Sequence, residues 1–153
     1  MATPDDGRSR AGERAWKELA TCFTSEFDEM TDAISLRLIE ELPSFGYVPH
    51  AEMVDIARQG MGVLIGAVRE RRPLTRREFE VYRSTTEAQA VQGVLLDDML
   101  QAWHVGFDAL RTWGRERTSN HGAGSANVLL DFLDIVIPWY DGGMATSVDW
   151  YRA

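Results

Sequence analysis

Apolar residues recur every three or four positions along most of the chain, and no segment alternates with period two. This is the spacing of helices that bury one face, so the chain is expected to be all-α, a single-domain helical bundle of about five helices. A first helix is predicted over roughly 12–42, where Trp16, Ala20, Phe23, Phe27, Met30, Ile34 and Leu38 form an unbroken narrow seam. Pro43 and Gly46 end it. A second helix is expected over roughly 50–71, with Met53, Ile56, Ala57, Leu64 and Val68 inward and Pro73 beyond its end.

Thr75 followed by Glu78 has the spacing of a capping box and opens a third helix over roughly 76–92. Apart from Phe79, Tyr82 and Ala90 that helix is polar, so partial exposure is expected. A fourth helix over roughly 96–117 places Leu96, Leu100, Trp103, Phe107 and Leu110 on one face, with Asp97 and Asp98 in the first turn favoured by the helix dipole. Small residues at 120–124 make a loop, and Ser125 caps a last helix over roughly 126–152 facing inward with Leu129, Phe132, Leu133, Val136 and Tyr140. Pro138 is expected to kink this helix, and Asp141-Gly142-Gly143 to break it. Residues 1–11 have no periodicity and are expected to be a disordered tail, leaving 12–153 as the helical domain.

Composition narrows the function classes. A chain of 153 residues can bury its own core. A formal charge of −8 disfavours direct nucleic-acid binding and anionic membranes. No run of about 18 apolar residues occurs, so no transmembrane span is expected. The polar start and the single cysteine, Cys22, fit a cytoplasmic location.

Candidate chemistry is sparse. His104 is the one histidine well inside a predicted helix and the candidate haem ligand; a hydrogen-bonded place at the edge of the apolar stripe is the ordinary alternative. His50 and His121 fall in a turn and a loop, with no metal-ligand spacing. Glu26, Asp28, Glu29 and Asp32 read as a solvated face, and Cys22 as an inert thiol. Arg69, Arg71, Arg72, Arg76 and Arg77 straddle the Pro73 turn, either as an anion or partner site or as ordinary complements to a helix end. Gly60, Gly62 and Gly66 inside a helix suggest close approach of a neighbouring helix or a ligand. Gly62, Gly66, Trp103, His104 and Phe107 are therefore the candidate ligand pocket. Trp16, Phe23, Phe27, Trp139 and Tyr151 are the candidate surface of a homodimer. Nothing converges into a catalytic constellation, so a non-enzymatic protein without a cofactor is expected.

Three stretches carry a resemblance. Ile34–Pro43, Arg69–Thr75 and above all Ala90-Val91-Gln92-Gly93-Val94-Leu95-Leu96-Asp97-Asp98-Met99-Leu100-Gln101-Ala102-Trp103 resemble the N-terminal sensory domain of bacterial RsbR-type stress regulators and PucR/CdaR-type transcription regulators. The resemblance implies a helical bundle, globin-like without haem, that passes a ligand or partner signal to an output domain or partner regulator. No stretch up to Ala153 resembles a DNA-reading domain, so a piece of a longer regulator or a free-standing sensor is expected.

Overall fold

The computed structural model describes residues 4–119 and 125–153, with side chains from 12–119 and 126–153. These residues form six α-helices: α1 (Pro4–Ser25), α2 (Phe27–Glu41), α3 (His50–Glu70), α4 (Arg76–Val91), α5 (Leu96–Thr118) and α6 (Ser125–Arg152), with a short 3-10 segment at Pro43–Tyr47 between α2 and α3. The loop expected over 120–124, with His121, and the cap expected from the Ser125 side chain lie outside the described residues. The first helix starts at Pro4, inside the stretch read as a tail.

The long first helix of the sequence is two helices. At Glu26 the backbone leaves helical geometry (φ −97°, ψ 7°), although the bonds Glu26 N–H to Cys22 O (2.9 Å) and Met30 N–H to Glu26 O (3.0 Å) bridge the joint. Two causes converge there. The hydroxyls of Thr24 and Ser25 donate back to the carbonyls of Ala20 and Cys22, a habit that bends helices. The Glu26 carboxylate is drawn onto α5, where Trp113 Nε1 donates to it at 3.2 Å and Arg117 pairs with it.

The last helix is the opposite case. It runs unbroken through Pro138 and the Gly142-Gly143 pair. Pro138 and Asp134 both face solvent, so the carbonyl that loses its helical donor is within reach of water. The two glycines make room for rings: a Cβ at Gly142 would lie 2.6 Å from the Phe79 ring, and one at Gly143 would lie 2.3 Å from the Trp103 indole. Gly114 admits Phe132 in the same way.

Helices α5 and α6 form the most extensive pair, with α4 against α6 and α2 against α3 next. In the core, Phe23 is fully buried with Trp113 and Phe132 edge-on to it at 5.1 and 6.1 Å. The buried stripe of α5 is Met99, Val105, Gly106, Leu110, Trp113 and Gly114, so Leu96, Leu100 and Phe107 stand at its margin. Helix α4 is less exposed than its polar sequence suggests: Tyr82, Thr86 and Gln89 are all buried. No helix among the described residues is long and apolar enough to cross a membrane.

Candidate functional site

Tyr82, Trp103 and Trp139 come from α4, α5 and α6 and meet edge to face, with ring centroids 4.9 Å apart for Tyr82–Trp103 and 5.0 Å for Trp103–Trp139. Each ring is anchored by its polar atom. Trp139 Nε1 donates to the Tyr82 hydroxyl at 2.7 Å, which donates to Gly60 O at 2.6 Å. Trp103 Nε1 donates to Ser147 Oγ at 3.0 Å, and that hydroxyl donates to Gly143 O. Burial pushes the Tyr82 hydroxyl well above the usual tyrosine range, so it stays protonated and keeps both bonds at physiological pH. Glycines seat the rings: a Cβ at Gly60 would lie 3.2 Å from Tyr82, and one at Gly106 the same distance from Trp139. The sequence therefore spends small residues on α3, α5 and α6 to hold one rigid aromatic wall.

That wall closes one side of a partly open cavity of about 100 Å³, set mostly among buried side chains. The rest of the lining is apolar on α2, α3 and α5, from Ile34, Leu38, Ile56, Ala57, Met61, Met99 and Ala102, with Phe45 from the 3-10 segment. Helix α4 supplies the polar lining, Thr85, Thr86 and Gln89. Thr85 donates to Tyr82 O at 3.0 Å, and Thr86 lies 3.4 Å from Ser147 Oγ. Gln89 is only 5% exposed, and its side-chain amide has no hydrogen bond among the described residues. Its position one turn beyond Thr86 and two beyond Tyr82 sets it on the cavity face of α4.

A larger surface groove of about 550 Å³ lies between α1 and the end of α5, with Arg14, Lys17, Cys22 and Arg117 along it. Its charged side chains belong to α1 and the end of α5 and are exposed. The smaller pocket is lined by the buried Gln89 side chain and joins five helices.

The cavity lies entirely within the segment that matches a known family: residues 28–153 match the model described as the RsbT co-antagonist protein rsbRD N-terminal domain. The chain belongs to the RsbRD N-terminal domain family. This agrees with the RsbR-type part of the sequence resemblance. No curated protein and no solved structure matches the chain.

Within this RsbRD N-terminal domain, the stretch that carried most of the resemblance is a structural joint beside the cavity. Gly93 has a φ of 104°, which glycine adopts without penalty. Asp98 accepts from the Ser44 amide at 2.9 Å and from the Ser44 hydroxyl, whose oxygen accepts from Leu95 N–H at 3.1 Å. Asp98 thus ties the 3-10 segment to the start of α5, a more specific role than the dipole contact expected of it. Tyr151, near the end of α6, donates to Val94 O at 2.5 Å in the same turn.

Of the pocket residues expected from the sequence, only Trp103 reaches the cavity. His104 is exposed on the outer face, with Nδ1 3.0 Å from the Tyr140 hydroxyl, and Phe107 stacks on the same tyrosine at 4.8 Å. Gly62 and Gly66 have open space where a Cβ would point; Gly60 is the glycine of α3 that a neighbour approaches. His104 therefore cannot serve as a haem ligand inside this cavity, which is also far smaller than a macrocycle.

Most of the residues expected at a dimer surface pack inside the single chain. Trp16, Phe23 and Trp139 are buried within the single chain; Trp16 Nε1 donates to Val68 O at 2.9 Å and its ring lies under Arg71. Phe27 is half-buried against the core, and the Tyr151 hydroxyl is engaged by Val94. The seam is used up by packing α1 onto α3 and α6. Among the arginines at the Pro73 turn, Arg71 pairs with Asp131 and Arg72 with Glu70 and Glu78, while Arg69, Arg76 and Arg77 are exposed.

Sequence reasoning missed Gln89, Thr86 and Gly60 as one group. The available signal was the spacing of Tyr82, Thr86 and Gln89, which places all three on one face of α4.

Proposed function

We propose that the chain is a sensory domain of a stress-response regulator, acting as the family's name implies on an RsbT-type partner, and that the cavity beside the aromatic wall is its sensory element. The observation that carries this reading is the placement of the cavity. Its aromatic wall is shared by α4, α5 and α6, and the Trp103 anchor on Ser147 leads one turn further to Tyr151 and Val94. An occupant would press on rings that are fixed to the last helix, so occupancy biases the packing of α6. The role is regulatory, and the partner regulator reads the shifted surface.

The test is a stress-responsive reporter in the organism of origin, with the native copy replaced by the cavity-filling variant Ala102→Leu and, separately, by Ala57→Val. Each variant is first required to melt cooperatively. The expected outcome is a changed threshold or basal level of the reporter. A response indistinguishable from wild type in both folded variants would overturn the reading.

A further inference from the structure

Resting on the reading of the cavity as the sensory element, the structure also says what kind of molecule fits it. We infer that the cavity takes a small, uncharged, mainly aliphatic ligand with a single hydrogen-bonding head, such as a short alcohol, and that the Gln89 amide receives that head.

The volume sets the size. An apolar protein cavity of roughly 150 Å³ accommodates benzene, so a cavity of about 100 Å³ suits four or five non-hydrogen atoms. Charge is disfavoured because no aspartate, glutamate, lysine, arginine or histidine lines the cavity, and an isolated ion against apolar walls carries a large desolvation cost. Thr85 is bonded back to its own helix, and the Tyr82 hydroxyl both accepts from Trp139 and donates to Gly60. Thr86 lies 3.4 Å from the Ser147 hydroxyl, whereas the Gln89 amide carries both a donor and an acceptor that bond to no described residue.

Beyond the Tyr82, Thr85 and Thr86 hydroxyls the remaining lining is mainly apolar. An alcohol hydroxyl can donate to the Gln89 carbonyl oxygen and accept from its NH₂ while the alkyl part lies against Ile34, Leu38, Ala57 and Met99.

The experiment uses the full chain with two probes. Butan-1-ol carries one hydroxyl on a four-carbon tail. Xenon reports the apolar volume alone and is followed by its own NMR shift. Binding of butan-1-ol is read from the indole signals of Trp103 and Trp139 in a proton–nitrogen NMR titration. So few atoms limit the affinity to about micromolar at best, with millimolar more typical. Wild type is expected to bind both probes. Gln89→Leu, close in volume, is expected to keep xenon and to weaken butan-1-ol about tenfold, the equivalent of a hydrogen bond worth about 1.4 kcal/mol. Ala102→Leu, or Ala57→Val should that variant fail to fold, is expected to lose both.

If Gln89→Leu binds butan-1-ol as tightly as wild type does, or if wild type takes xenon and refuses butan-1-ol, the ligand class is overturned while the cavity survives as a site. If wild type binds neither probe, the ligand class and the sensory reading of the cavity both fall.

Discussion

Small residues decide more of this structure than charged ones do. At Gly143 an added methyl would meet the Trp103 indole, and the ring cannot retreat without breaking its bond to Ser147. Gly143→Ala is expected to cost about 1–3 kcal/mol through overpacking, measured by urea denaturation. Gly62 and Gly66 are the internal control, because they occupy a helix interior with nothing near the position of a Cβ. Alanine at either is expected to stabilise by about 0.5–1 kcal/mol. If Gly143→Ala proves neutral while Gly62→Ala and Gly66→Ala destabilise, the assignment of close packing is reversed. Phe23 sets the scale for the core: fully buried between Trp113 and Phe132, its truncation to alanine is expected to remove about 3–5 kcal/mol, seen as a large shift of the denaturation midpoint.

The helices end where local chemistry ends them, with two exceptions. Thr75 and Glu78 form the full capping box of α4: the Glu78 amide donates to Thr75 Oγ1 at 3.3 Å, and the Thr75 amide donates to the Glu78 carboxylate at 2.8 Å. The C-terminus of α3 closes with Arg72 N–H on Ala67 O and Arg71 N–H on Val68 O, with Arg71 left-handed at φ 53°. The Arg72 guanidinium, with the Thr75 amide and hydroxyl, holds the Glu78 carboxyl below its ordinary value of 4.5. A carboxyl depressed in the folded state adds stability above its unfolded pKa and loses it as pH falls through the folded value. Glu78→Gln is therefore expected to lower stability at neutral pH and to flatten the acid-side loss below about pH 4.5, followed as melting temperature against pH. A variant with the full acid-side slope of wild type would contradict this. Such ends were legible in the sequence because proline, the capping pair and turn glycines act locally. The joint at Glu26 was not, because Trp113 and Arg117, which hold it, lie 87 and 91 residues away in the chain. The continuity of α6 was misread because Gly142 and Gly143 resemble breakers until the rings of Phe79 and Trp103 are placed on them.

At the scale of the whole molecule, the all-helical class and the inward faces of most helices follow from apolar spacing, but the cavity does not. Its lining is drawn from residues 34 to 139 on five helices and a 3-10 turn, and helix packing alone brings them together. Trp103 was visible as a candidate because it stands on an apolar stripe, whereas Gln89 looked like one more polar residue of an exposed helix. The aromatic anchors of α1, Trp16 and Phe23, are buried by α3, α5 and α6 within one chain. An aromatic wall links this cavity to the last turns of α6 through Ser147 and, beyond it, Tyr151. The most direct test is amide hydrogen exchange of the full chain with and without saturating butan-1-ol. The result expected is added protection in the cavity faces of α4 and α5 and in the last turns of α6, with α1 unchanged. Exchange that is unaltered, or altered equally in every helix, would contradict it.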